Sequence, residues 1–91
     1  MAWVNCIVNE VGPASDAADT TAPVIYINLT DSEGSFANTW FYAAAGVQKE
    51  MLAVAIAAIN QDRRVEAGLV PPNANNTPYT PVTRMYLLGK A

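Results

Sequence analysis

The chain has 91 residues, 52% of them hydrophobic and only 14% charged, with a formal net charge of −3. A chain of this length makes one domain, 1–91. Its five basic residues, of which only Arg63 and Arg64 are adjacent, exclude the clustered cations that a phosphate backbone requires, so no nucleic-acid partner is expected.

Cys6 is the only cysteine, which excludes an internal disulfide. The longest apolar run, Met51 to Ile59, falls well short of the ~20 residues that span a bilayer, so no membrane partner is expected. The first residues carry no basic stretch followed by an apolar run, and a cytoplasmic protein is the default expectation. Ordinary globular domains carry about 25% charged residues. A small chain with so few has more apolar surface than its thin core takes up, and a homo-oligomer is expected to hide the excess.

Along the chain, β-branched residues predict a first strand over 3–11, ended by Gly12-Pro13, with 12–22 a loop by composition. The clearest strand runs from Val24 to Thr30, with Ile25, Ile27 and Leu29 alternating against Val24, Tyr26, Asn28 and Thr30. Asp31 to Ser35 reads as a turn with Gly34 available for positive φ, and Thr39 to Ala43 as the returning strand of a hairpin. Strong helix formers without glycine or proline predict a helix over 47–61. Val65 to Val70 forms a fourth strand, Pro71 to Pro81 a long loop, and Val82 to Leu88 a fifth strand whose alternation sets Val82, Arg84, Tyr86 and Leu88 against Thr83, Met85 and Leu87.

Strand, strand, strand, helix, strand, strand is the order of an oligonucleotide/oligosaccharide-binding (OB) fold. The fold class is therefore α+β, mostly β: a five-stranded OB-like antiparallel barrel or strongly curved sheet with one helix. An open antiparallel sheet with one packed helix fits the same order. In its strand Val24–Thr30, the strand with Trp40-Phe41, the helix core Met51–Ile59, the stretch Asp62 to Ala67 and the final Met85-Tyr86-Leu87-Leu88, the chain resembles the pentameric B subunits of AB5 toxins of the subtilase and typhoid-toxin type. The resemblance implies a barrel and a ring of subunits; it implies no binding residues.

On the helix, Met51, Leu52, Ile56 and Ile59 gather on one broad face, expected to meet the core. Ala53, Val54, Ala57 and Ala58 make a smooth second side, expected to be the interface between copies.

Chemistry is sparse. The absence of histidine removes the commonest general base and metal ligand, no Ser–His or Cys–His pair can form, and one cysteine is no zinc site. Asp31 and Glu33 lack the ordered oxygen set of a calcium loop, and no phosphate-binding glycine motif occurs. No enzyme, metal or cofactor is expected.

Aromatic side chains carry the binding expectation instead. If Phe41 points inward, Tyr26, Trp40 and Tyr42 form an outward patch on neighbouring strands, the alternative being that these rings close the barrel bottom or pack under the helix; Tyr79 lies in the long loop. Such rings stack sugars or peptides and are equally typical of subunit contacts. The expected function is a small, homo-oligomeric, non-enzymatic module binding a glycan or peptide through these four residues. The alternative is a purely structural protein that uses the same surfaces for assembly.

Overall fold

The computed structural model describes residues 2–14, 24–72 and 80–89. Its elements keep the expected order: β1 (Ala2–Ala14), β2 (Val24–Asp31), β3 (Thr39–Ala43), α1 (Gln48–Gln61), β4 (Val65–Leu69) and β5 (Pro81–Leu87). The strands close into a barrel in the order β1-β2-β3-β5-β4, with β4 pairing back onto β1. That last pairing, Ala2↔Leu69 through Cys6↔Val65, decides the α+β, mostly-β, OB-like barrel over the open sheet. The seam between β3 and β5 is parallel and short, Tyr42↔Pro81 and Ala43↔Val82.

The first strand is longer than composition suggests. Gly12, Pro13 and Ala14 do not end it but pair with Tyr26, Ile25 and Val24. A proline is tolerated there because β4 leaves β1 at Cys6. Beyond that point β1 is paired with β2 alone, and the missing N–H falls on an edge without a ladder.

Two bulges correct the simple alternation. In β1 the register shifts between Val8 and Glu10. Cys6 and Val8 point inward, and the extra residue, Asn9, resets the phase so that Val11 packs against the core while Glu10 is exposed. In β5 the irregularity lies opposite the Gly68/Leu69 step. Val82 and Met85 are therefore both buried, whereas Arg84 and Tyr86 are exposed. The expected period-two face of Val82 with Arg84 and Tyr86 is thus broken at Thr83.

Ile25, Ile27 and Leu29 of β2 fill the interior as expected, with Phe41 of β3. Phe36, which the turn reading missed, joins them with its ring edge-on to Phe41, centroids 5.4 Å apart. The helix closes on a residue in left-handed conformation, Asp62 (φ 53°). The N–H of Asp62 reaches the Ile59 carbonyl, and that of Arg63 reaches Ala58 at 2.9 Å. This is the hydrogen-bond pattern of a Schellman stop.

The helix faces are the principal correction. Met51 is buried as expected, but its companions in the core are Ala55 and Ala58, with Leu52 and Val54 packed alongside. Ile56 is 45% and Ile59 42% exposed. Ala58, expected at an interface between copies, is 2% exposed and sealed inside its own chain. Of its expected companions, Val54 packs on that same core, Ala53 is exposed and Ala57 half-buried. Small side chains turn inward because a helix lying against a barrel this narrow approaches closely, and alanine permits that approach where isoleucine does not.

Phe41→Ala is expected to cost about 3–5 kcal/mol in urea unfolding, the usual loss for a buried ring. Ala58→Asp is expected to cost about 3 kcal/mol by placing a carboxylate in the core, and Ile56→Lys about 0.5 kcal/mol or less. The reverse ranking of the two helix variants would restore the periodicity-based assignment of faces.

Candidate functional site

Outward residues of β1, β2 and β3 build one continuous surface. The register sets them in two rows across the three strands, Gly12–Tyr26–Tyr42 and Glu10–Asn28–Trp40. The expected trio of Tyr26, Trp40 and Tyr42 is therefore brought together: the two tyrosines are direct cross-strand partners, and Trp40 lies one pleat along β3. All three rings are half-buried. The fourth expected residue, Tyr79, lies outside the described residues.

A groove of about 530 Å³ opens on this surface, lined by Glu10 to Ala14 of β1 with Tyr26 and Trp40. Tyr42 flanks it through its pairing with Tyr26. Glu10 and Gly12 are functional candidates that sequence reasoning missed. Glu10 enters the groove only because the bulge at Asn9 inverts the alternation of β1, and a period-two reading sends it to the wrong face. Gly12 stands beside Tyr26, and a methyl group added to it meets nothing within 4 Å. The absent side chain keeps the groove open.

Beneath the rings the surface is braced by amides. Asn28 is buried although it lies on the outward side of β2. Its Oδ1 accepts a hydrogen bond from Asn9 Nδ2 at 2.9 Å, and the same amide nitrogen donates to Thr30 Oγ1 at 2.8 Å. A polar group this well covered is costly unless bonded. The bulge residue therefore satisfies Asn28 and ties β1 to β2 under the groove.

Of the three side chains weighed for chemistry, Glu33 is exposed, and Asp31 and Cys6 are occupied in structural roles. The Asp31 carboxylate accepts the backbone N–H groups of Glu33 at 2.9 Å and Ser35 at 3.2 Å, and the Ser35 hydroxyl. The Ser35 hydroxyl bond above all, then the Glu33 N–H, holds its pKa below the ordinary carboxylate value. Its oxygens thus staple the β2–β3 turn. Burial, reinforced by the Asp31 charge, pushes the Cys6 thiol up to about 12, far from the range of a nucleophilic thiolate. Among the described residues no cluster of three acidic or cysteine side chains gathers as a metal site, and no helix is long and apolar enough to cross a membrane.

Both groups tie stability to pH. The folded state lowers the pKa of Asp31, so its contribution is present above about pH 4, the unfolded value, and is lost as the pH falls through the folded value. Asp31→Asn is expected to flatten the acid limb of a plot of urea midpoint against pH; an unaltered limb assigns acid unfolding elsewhere. For Cys6 the folded pKa is raised, so its contribution is complete below about pH 8.5 and lost as the pH climbs toward 12. At pH 8 a maleimide is expected to label Cys6 only after denaturant is added. Labelling of the native chain at the denatured rate contradicts the burial.

Comparison of the chain with family models, with curated proteins and with solved structures finds no match to any of them.

Proposed function

We propose that this protein is a non-enzymatic binding module whose groove between β1, β2 and β3 takes a neutral glycan. The observation that carries the reading is the pairing of an open groove of about 530 Å³ with two half-buried rings, Tyr26 and Trp40, and the carboxylate of Glu10. Small-molecule sites commonly enclose about 300–1,000 Å³ and combine apolar walls with a few polar groups. A pyranose has apolar C–H faces that lie on aromatic rings and hydroxyls that donate to a carboxylate. Phosphorylated or sialylated ligands are disfavoured by Glu10 in the groove and by the net charge of −3. Among the described residues Glu10 is the one carboxylate lining the groove, which favours binding over glycoside hydrolysis, a reaction that ordinarily needs two.

A peptide gains its affinity in such folds by adding a strand to a sheet edge, but here β2 lies between two ladders. Among the described residues β1 beyond Cys6 does carry a free edge, but Tyr26 and Trp40 stand on the face of the sheet rather than at that edge, and that favours the sugar.

Screening on an array of neutral oligosaccharides, followed by calorimetric titration of those retained, tests the reading. Trp40→Ala is expected to weaken binding about tenfold or more, equivalent to roughly 1.4 kcal/mol. Gly12→Leu is expected to abolish binding while leaving thermal stability within a few degrees, since the new side chain enters open space. A glycan held equally well by both variants, or none retained at all, rejects the site.

A further inference from the structure

We propose that the outer face of β1, β4 and β5, on the barrel wall away from the groove, is the docking surface for a second copy of this chain, making a two-fold symmetric dimer. The register there builds two adjacent rows, Trp3–Gly68–Arg84 and Asn5–Glu66–Tyr86. Trp3 and Tyr86 occupy opposite corners of this patch. Gly68 adds no side chain between Trp3 and Arg84, and the rings of Trp3 and Tyr86 converge over the middle strand with centroids 5.6 Å apart and planes tilted by 31°. The Arg84 guanidinium carbon stands 6.0 Å from the centre of the Trp3 ring.

Despite these mutual contacts Trp3 is 46% and Tyr86 53% exposed, and Ile7, two residues beyond Asn5 on the same side of β1, is also exposed. Trp, Tyr and Arg clustered at the centre of a patch are the composition of interface anchors.

Charge complementarity selects a second copy as the occupant. A two-fold interface applies the same patch to itself, so it must carry both members of every pair it makes. An axis laid along the Trp3–Tyr86 diagonal brings each copy's rings onto those of the other. Glu66 and Arg84 then lie on opposite sides of that axis, since one stands in the Tyr86 row on β4 and the other in the Trp3 row on β5. Rotation sets Glu66 of each copy against Arg84 of the other, giving two equivalent ion pairs around an aromatic centre. A sugar or peptide would use the rings but has no need of opposite charges in this arrangement. The exposed isoleucines of α1, Ile56 and Ile59, show no such pairing and serve as the control surface. With 14% charged residues in the chain, covering this patch also removes two exposed aromatic rings from water.

Sedimentation equilibrium of the full chain across a wide concentration range is the test, with circular dichroism to confirm that each variant is folded. The wild type is expected to rise from the 9.7 kDa of one chain to twice that mass. Trp3→Lys and Glu66→Arg are each expected to weaken the dimer at least about tenfold, and Ile56→Lys to leave it unchanged. Combining Glu66→Arg with Arg84→Glu re-forms the pair in reverse and is expected to recover most of the loss, which a mere disturbance of the barrel does not do.

A wild type that stays at 9.7 kDa throughout overturns the proposal, including the case in which a neutral oligosaccharide titrated into that monomer quenches Trp3 fluorescence in a Trp40→Phe background. So does a dimer dissociated by Ile56→Lys, or a double charge swap no tighter than its single members. Glycan retention at the Trp40 groove is read independently, because its residues lie on β1, β2 and β3 beyond Asn9.

Discussion

The molecule depends on one strand serving two partners. β1 pairs with β4 over residues 2–6 and with β2 over residues 6–14, and Cys6 is in register with both Val65 and Asp31. Without this handover the five strands would form an open sheet with two unpaired edges, a hazardous state for a chain with so few charges. Closure limits that exposure, leaving the stretch of β1 beyond Cys6 paired with β2 alone among the described residues, and creates the interior in which Ile27, Leu29, Phe41, Val65 and Val82 are buried. The apolar character of Cys6 follows from its place at the crossing. The thiol is fully buried there, and burial keeps it protonated.

The handover requires β1 to bend, and the bulge at Asn9 marks the bend. Its consequences extend to the surface. The phase of β1 inverts there, so the first half of the strand presents Trp3, Asn5 and Ile7 outward, and the second half Glu10, Gly12 and Ala14. The two outward sets have different neighbours. The first stands beside β4 and β5, with Glu66, Arg84 and Tyr86; the second stands beside β2 and β3, with Tyr26, Trp40 and Tyr42. One backbone irregularity thus divides the barrel wall into two aromatic surfaces of different character. Among the described residues the groove has one carboxylate, Glu10, and an open floor at Gly12. The other face has a cation, Arg84, and an anion, Glu66, beside its rings.

Buried polar groups hold these surfaces in place. Asn9 bonds Asn28 and Thr30 under the groove, Asp31 gathers the turn after β2, and Ser32 binds the backbone and side chain of Asn5. The first set joins β1 to β2, the second ties the end of β2 to its turn, and the third ties that turn to β1. A wall braced in this way would hold the half-buried rings in place for the proposed ligand and so limit the entropy lost on binding.

How much of this was legible in the residues depends on the range of the interaction that sets each feature. Local propensity and alternation sufficed for the element order, for the inward set Ile25, Ile27 and Leu29, for the limits of α1 to within a residue, and for the outward placement of Tyr26, Trp40 and Tyr42. Each of these follows from contacts within a few positions along the chain. Tertiary structure alone decided the rest. The bulges at Asn9 and opposite Gly68 arise from the need to close the barrel, so Glu10 and Val82 take sides that period-two counting assigns wrongly. The orientation of α1 depends on how near it can come to the barrel, a condition that reverses the usual preference and turns Ala55 and Ala58 inward while Ile56 stays in water. Trp3, Gly68, Arg84 and Tyr86 are far apart in the chain, and only the pairing of β4 with both β1 and β5 makes them neighbours.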